Sequence, residues 1–336
     1  MVRSSEDRDF YERCVKILLA DKFPNSGLES LSEAGHECDL KPDLNGDTLP
    51  GAIGTAEILV VRSTPVTRAT VDSGVNLRLI IRAGAGTNTI DKQAAAEREI
   101  PVCNVPGRNA AAVAELVIGL LIAIDRNIPD NVIDLRAGRW NKKRYSVARG
   151  LYGRRLGVIG LGAIGLAVLE RARGFGLELW VIEKSGRATE VQQRLREIGV
   201  RAVPGLDALI DQSDILSFHL PAVPETRGMV NASFLEKLHP GTILINTSRG
   251  DLVDEQALIR ALDEKELRVG LDVYRDEPGS NDGTFSSALA CHPMVYGTHH
   301  IGASTTQAQS AVAEGVLEII AAFGNSQILN CVNMPG

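Results

Sequence analysis

The chain has 336 residues, enough for two domains. Its 44% apolar and 23% charged residues are ordinary for a globular protein and argue against a disordered or fibrous chain. A net charge of −6 argues against nucleic acid or an anionic membrane as a general partner.

The charged leader, Met1 to Arg13, lacks an apolar centre and does not read as a signal peptide. Val15 to Ala20 is a short apolar strand, and Leu28 to Ala34 a helix ending at Gly35. Ala56 to Val61 is a second strand, broken by Arg62-Ser63-Thr64-Pro65. Leu77 to Ile81 is a third and leads into Arg82-Ala83-Gly84-Ala85-Gly86-Thr87-Asn88. Asp91 opens a helix through Arg98, and Val102 to Val105 is a strand stopped by Pro106-Gly107. Buried strands alternating with helices predict a parallel, doubly wound sheet. Asn109 is read as the cap of a long helix, Ala110 to Ile124. That run is interrupted by Glu115 and is too short for a membrane span, so it is expected to be buried. A basic stretch from Arg136 to Arg155 follows, with Trp140 and Tyr145 inside it.

The segment Gly157 to Gly165 runs from an apolar strand through Gly160-Leu161-Gly162-Ala163-Ile164-Gly165 into a helix, Leu166 to Arg173. A further strand, Leu177 to Ile182, ends at Glu183. Strand, G-x-G-x-x-G turn, helix, strand and acid together point to a dinucleotide site; glycines alone would suit any α/β turn. Gly160 would permit the tight turn, Gly162 the approach of a pyrophosphate, and Gly165 close helix packing. The helix N-terminus would supply free N–H groups and a positive dipole end. Glu183 can accept both ribose hydroxyls and favours NAD, while Lys184 and Arg187 just beyond it leave NADP open. Later strands are Ile215 to Leu220, Thr242 to Asn246, Val269 to Val273 and Met294 to Tyr296. Helices are Val191 to Ile198, Phe234 to Leu238, Glu255 to Asp263 (capped by Asp254) and Thr305 to Phe323. The tail, Ile328 to Val332, reads as a strand returning to the first domain, which is therefore discontinuous. Five cysteines (Cys14, Cys38, Cys103, Cys291 and Cys331), with no C-x-x-C, point to free thiols in a reducing cytoplasm.

Three clusters sit at the C-terminal ends of predicted strands, where open α/β sheets bind ligands. They are Ile245-Asn246-Thr247-Ser248-Arg249-Gly250-Asp251-Leu252-Val253-Asp254-Glu255, Gly270-Leu271-Asp272-Val273-Tyr274-Arg275-Asp276-Glu277-Pro278 and Thr298-His299-His300-Ile301-Gly302-Ala303-Ser304. In this order they resemble the D-isomer-specific 2-hydroxyacid dehydrogenases, and the resemblance runs from Val60 to Asn333. Asn104-Val105-Pro106-Gly107-Arg108-Asn109 with Ala114-Glu115 is similar to that family's hinge helix. Asn330-Cys331-Val332-Asn333 is similar to its phosphoglycerate-oxidising branch.

The resemblance implies a Rossmann NAD-binding domain, residues 108–300, inserted in a flavodoxin-like substrate domain, residues 1–107 and 301–336. It implies Arg249, Glu277 and His300 as the catalytic set. Arg249 presents a planar fork for a 2-oxo acid carboxylate; its bland alternative is an ion pair with Asp251 or Asp254. His300 would be the acid/base, and Glu277 would fix its tautomer and favour imidazolium. His36, His239 and His292 are read as structural. His299 stands where the family has proline, and reads as a solvated loop residue or a second polar group at the site.

Cofactor contacts would come from Gly160, Gly162, Ala163, Ile164, Gly165, Glu183, Leu220, Pro221, Thr226, Thr247, Ser248, Gly302 and Ala303. Asp272 would accept from the nicotinamide carboxamide, or else be a strand-end turn residue. His219-Leu220-Pro221 resembles the family's H-x-P, although the usual P-x-T becomes Pro221 to Thr226. Amides of Gly84, Ala85 and Gly86 would hold the substrate carboxylate. Arg62, with Ser63, and Arg82 would meet a substrate phosphate. Lys142, Lys143, Arg144 and Arg149 would do the same or form a solvated face.

The implied activity is NAD-dependent interconversion of a D-2-hydroxy acid and its 2-oxo acid, with 3-phosphoglycerate first among substrates. Glyoxylate, hydroxypyruvate or another 2-oxo acid is the alternative. An NAD-sensing, corepressor-like binding protein is the reading from another class. A formate dehydrogenase is disfavoured because Glu277 stands where that enzyme has glutamine. Domain closure is expected to exclude water. A homodimer is expected, with no metal, and so is the absence of feedback through a C-terminal regulatory domain.

Overall fold

The structure is a computed structural model that describes residues 14–278 and 283–334. The charged leader lies outside them. The elements in chain order begin with β1 (Lys16–Leu19), α1 (Asn25–Glu33), β2 (Glu37–Leu40), α2 (Leu49–Ala52) and β3 (Ile58–Val61). Then come α3 (Arg68–Ser73), β4 (Leu79–Arg82), α4 (Lys92–Glu97), β5 (Val102–Asn104), α5 (Ala110–Arg126) and α6 (Ile128–Arg136). They continue with β6 (Arg155–Ile159), α7 (Ala163–Gly174), β7 (Glu178–Ile182), α8 (Thr189–Ile198), β8 (Arg201–Val203) and α9 (Leu206–Asp211). The last are β9 (Ile215–Phe218), α10 (Ala232–Glu236), β10 (Ile243–Asn246), α11 (Glu255–Lys265), β11 (Arg268–Leu271), β12 (Val295–Gly297) and α12 (Thr306–Gly324). Among the described residues no helix is long and apolar enough to cross a membrane.

The chain divides into two compact units, and the second is inserted between the two parts of the first. The first unit takes described residues 14–109 and 304–334; its sheet has five strands in the order β2-β1-β3-β4-β5, all parallel. This is the flavodoxin-like order. Successive strand residues alternate between two cores, as a sheet covered on both faces requires. Ile58 and Val60 join the core that contains Val316, Ile319 and Ile320 of α12; Leu59 and Val61 join the core under Val71, Ala94 and Ala95. The side chains of Thr67, Asp91 and Thr305 cap α3, α4 and α12 by accepting N–H groups three residues on.

The second unit takes described residues 110–278 and 283–303; its seven parallel strands run β12-β11-β10-β9-β6-β7-β8. Read from β8, this is the Rossmann order with a seventh strand, and the strand order reverses between β6 and β9. Ile243 and Ile245 face the core shared with α5 and α7, while Leu244 faces the one shared with α10 and α11.

Three sequence expectations need correction. The tail 328–332 is not a strand: only Cys103 and Cys331 form an antiparallel bridge, because Ser326 and Asn330 adopt left-handed backbone (φ 55° and 53°) and interrupt the extended run. Asn109 does not cap α5; its Oδ1 is buried and has no hydrogen-bond partner among the described residues. Six elements, β2, α2, α3, α6, β8 and α9, were not expected. The two strands lie at sheet edges, are mostly exposed and are broken by the charged Glu37, Asp39 and Arg201, so they lack the apolar run by which a buried strand is recognised.

Candidate active site

The glycine turn lies at the end of β6, beside the reversal of strand order. Gly160 has φ 102°, and a Cβ there would collide with the His219 carbonyl. A Cβ on Gly165 would strike the Gly160 carbonyl. Gly162 is the extended N-cap of α7, and its missing Cβ faces open space. A phosphate can therefore come close to the first N–H groups of α7, which include those of Ala163 and Ile164 and have no intrahelical acceptor. Glu183 follows β7, is exposed, and is anchored by its amide to Val203 O at 2.7 Å. Arg187 donates to the Ile182 carbonyl instead of reaching outward. Leu220 packs beside Gly160. Thr226 folds the loop from Pro221, donating to Pro221 O at 2.5 Å and accepting from Val223 N at 3.0 Å.

After β10, Asn246 organises the turn that carries Arg249. Its Oδ1 accepts from Ser248 N (3.0 Å) and Ser248 Oγ (2.7 Å), and its Nδ2 donates to Arg249 O (2.8 Å). The buried Thr247 Oγ1 and His219 Nδ1 have no partner among the described residues. Burial lowers His219 to a pKa of about 4, so the ring is neutral at physiological pH, and its Nε2 lies 2.8 Å from Ser217 Oγ. These orphaned polar atoms, the open face of Gly162 and the acid after β7 fit a dinucleotide.

Arg249 is half-buried, and burial pulls its pKa down against the pull of Glu277 and Asp251. The structural alternative has lost its partners: Asp251 pairs with Arg227 at 2.9 Å, and Asp254 caps α11. Gly250 brings this turn hard against the backbone of Tyr274 and Arg275, where any Cβ would collide. Glu255 then accepts from Arg275 N at 3.0 Å. The R-G and D-E pairs of the motif thus press the Arg249 turn onto the Glu277 turn.

Glu277 Oε1 accepts from Tyr274 N at 2.7 Å, and Glu277 Oε2 lies 2.6 Å from His300 Nδ1. Burial pushes the Glu277 carboxyl up. The His300 bond and charge, the Tyr274 N–H and Arg249 outweigh it, and the net shift is downward. His300 itself has φ 50°, a left-handed conformation that costs a residue with a Cβ about 1 kcal/mol and needs outside support. Asp272 supplies that support. It is 1% exposed; its Oδ1 accepts from Thr298 Oγ1 (2.6 Å) and Ile301 N (2.8 Å), and its Oδ2 from Gly302 N (2.8 Å). A carboxylate has about four acceptor positions, so three are committed to the histidine loop. This office of Asp272 was missed in the sequence; the signal for it was only the spacing of an acid at one strand end from the histidines at the next. His299 is exposed.

In the first unit, Asp21 Oδ2 takes the N–H groups of Arg62 (2.6 Å), Ser63 (3.0 Å) and Thr64 (3.1 Å), a clamp not foreseen from sequence. Arg62 Nη2 donates to Ser304 Oγ at 3.0 Å. Arg82 does not extend as expected: its Nη1 donates to Ala83 O at 2.8 Å and its guanidinium covers Gly84. The Gly84 amide, expected to face a carboxylate, is donated to Arg82 O at 2.8 Å. In the basic stretch Arg144 pairs with Asp134 and Arg149 with Asp214, while Lys142 and Lys143 are exposed; the arginines build internal networks and the lysines a solvated face. Among the described residues no group of three or more His, Cys, Asp or Glu is placed to hold a metal ion.

Residues 118–302 match the model of the D-isomer specific 2-hydroxyacid dehydrogenase, NAD binding domain. D-3-phosphoglycerate dehydrogenase of Methanocaldococcus jannaschii is 37% identical over 325 residues, which is 96% of this chain and 60% of that protein. The chain therefore spans about 60% of the length of that relative. Hydroxypyruvate reductase of Thermotoga maritima is 37% identical over 279 residues, 82% of this chain and 88% of the relative. The crystal structure of a glyoxylate reductase from Paecilomyes thermophila has a TM-score of 0.81 at 27% identity, covering 95% of this chain and 98% of that one.

Proposed function

Because the chain belongs to the D-isomer specific 2-hydroxyacid dehydrogenase family, we propose that it interconverts a D-2-hydroxy acid and its 2-oxo acid with NAD, using Arg249, Glu277 and His300. The observation that carries this reading is the His300 Nδ1 to Glu277 Oε2 contact of 2.6 Å at a ligand-binding strand end. It occupies one ring nitrogen and leaves Nε2 for the substrate hydroxyl. His300 takes that proton during oxidation, and Glu277 stabilises the imidazolium that results. Arg249 holds the substrate carboxylate and polarises the developing carbonyl. NAD, when bound, supplies the hydride acceptor. Glu183 selects it over NADP, and the commitment of Arg187 to a backbone carbonyl supports that choice.

The preferred substrate is 3-phosphoglycerate. This rests on the phosphoglycerate dehydrogenase relatives, on the closing Asn330-Cys331-Val332-Asn333 and on Arg62 at the clamped loop after β3. The alternative, a hydroxypyruvate or glyoxylate reductase, is favoured by the T. maritima relative, which this chain covers almost completely. A panel of phosphorylated and unphosphorylated acids with NAD and NADP, followed by nicotinamide absorbance, tests both. A kcat/KM at least about tenfold higher for 3-phosphoglycerate than for D-glycerate supports the first reading; no gain from the phosphate overturns it. The partner is a second copy of the chain, docking through the exposed Ile128, Val132, Ile133 and Leu135 of α6, with Trp140, Val147 and Tyr152 beyond it. Sedimentation of a monomer overturns that part.

A further inference from the structure

Two cysteines far apart in sequence face each other in the first unit. Cys103 in β5 and Cys331 in the tail form an isolated antiparallel bridge. The bonds on either side of it are Asn104 N to Asn330 O (3.2 Å) and Val332 N to Val102 O (2.9 Å). That pattern makes Cys103 and Cys331 a non-hydrogen-bonded pair, whose Cα atoms lie about 4.5 Å apart with both side chains on one face. Disulfides require Cα separations of about 4.4–6.8 Å. Both side chains belong to the same core, Cys103 fully buried and Cys331 half-buried against it. Cys14 and Cys38, the other neighbouring pair, are out of register: Cys14 precedes β1, and Cys38 in β2 stands opposite Ile17.

We propose that Cys103 and Cys331 are an oxidisable dithiol site that takes a small-molecule disulfide as oxidant and, once oxidised, ties the 330–333 tail covalently to β5. Burial and the neighbouring Cys331 push the Cys103 thiol up to about 12, so Cys103 rests as a thiol and Cys331, the more accessible, attacks first. Cys331 loses its proton, displaces one small thiol and forms a mixed disulfide. Cys103 then loses its proton, attacks the Cys331 sulfur and releases the second small thiol. The protein gives up two electrons and two protons, and the oxidant's S–S bond becomes two thiols.

The tail is otherwise held by hydrogen bonds. Asn333 Oδ1 accepts from Val102 N at 2.8 Å, Asn333 Nδ2 donates to Ile100 O at 2.9 Å, and Cys331 Sγ donates to Asn333 Oδ1 at 3.3 Å. The same strand end braces the loop after β4. Asn104 Nδ2 donates to Ala85 O at 2.6 Å, and Val105 N to Gly84 O at 3.0 Å. Oxidation therefore fixes the tail to the strand that supports the proposed carboxylate loop.

The test treats the full chain with oxidised glutathione, blocks remaining thiols by alkylation and maps peptides without reduction. The expected product is a linked peptide pair joining Cys103 to Cys331, lighter by two hydrogens than the two free peptides, and lost in Cys331→Ser and Cys103→Ser. Limited proteolysis within residues 326–334 should slow by at least about tenfold on oxidation of the wild type and not of Cys331→Ser. Both thiols alkylated after exhaustive oxidation, glutathione retained on Cys331 without transfer, or a Cys14–Cys38 link in its place would overturn the assignment. A Cys103–Cys331 link with unchanged tail cleavage would overturn the latch.

Discussion

Asp272→Asn isolates the support of the His300 loop, because it keeps the shape of the side chain and removes one acceptor. The Asn carbonyl can still take Thr298 Oγ1 and Ile301 N, but its amide then points a donor at Gly302 N, which sits 2.8 Å from the present Oδ2. A hydrogen bond to a charged group contributes about 1.5–3 kcal/mol, and a buried unsatisfied N–H costs a similar amount. The loop must also keep His300 in its left-handed conformation at about 1 kcal/mol. A loss of about 2–3 kcal/mol in the population of the productive loop corresponds to a fall in kcat of roughly 30- to 150-fold, at about 1.4 kcal/mol per decade. The assay is steady-state turnover on the best substrate of the panel, with NAD affinity measured separately by fluorescence. Thr298→Val provides the second arm, since it removes the 2.6 Å bond without touching the carboxylate. Both variants should lower kcat while NAD affinity changes by less than about fivefold. A normal kcat in Asp272→Asn, or a loss confined to NAD affinity with Thr298→Val unaffected, would show that Asp272 serves the cofactor and not the loop.

His300→Gln should cut turnover by at least about a hundredfold with NAD still bound; near-normal turnover removes His300 from proton transfer. Glu255→Ala should lower kcat by about tenfold through loss of the Arg275 N contact, while Glu255→Gln, which keeps an acceptor, should restore most of it; equal loss in both variants would point to charge instead of positioning. Asp214 is held down to about 2: burial raises it, but the Arg155 side chain and amide and Arg149 outweigh that. Because its folded pKa is depressed, the stability it contributes is present above about pH 4 and is lost as the pH falls toward 2. Discounted for the solvent around Arg149 and Arg155, that contribution is about 1–2 kcal/mol. Asp214→Asn should lose it at pH 7 in urea titrations, and the two proteins should converge near pH 2; parallel pH curves would refute the linkage.

The strands that could be recognised in sequence are those buried on both faces. Ile58-Leu59-Val60-Val61 and Ile243-Leu244-Ile245 are uninterrupted apolar runs because each successive side chain enters a different core. Glu37-Cys38-Asp39-Leu40 at a sheet edge has no such requirement, so composition does not mark it as a strand. Asp254 and Thr305 could be read as helix starts because capping is a contact within four residues. Asn109, also suited to the role, forms no such bond.

The order of chemical groups is legible in the residues alone: a glycine turn after an apolar strand, an acid after the next, and an arginine, a glutamate and a histidine each just past a later strand. These are local facts, set by backbone sterics and by the period of the side chains, and they are legible without knowing what lies beside them. What each group is bonded to depends on the folded arrangement. The contact between Glu277 and His300 spans 23 positions, that between Asp272 and Gly302 spans 30, and that between Val102 and Asn333 spans 231. Such pairs depend on which strands become neighbours in a sheet, and that is settled by burial of whole faces, not by the residues that finally touch. Asp272 shows the difference: its sequence context suggests a group for the cofactor or a strand-end turn residue, and its hydrogen bonds to Thr298, Ile301 and Gly302 tie it to the loop that carries the histidine.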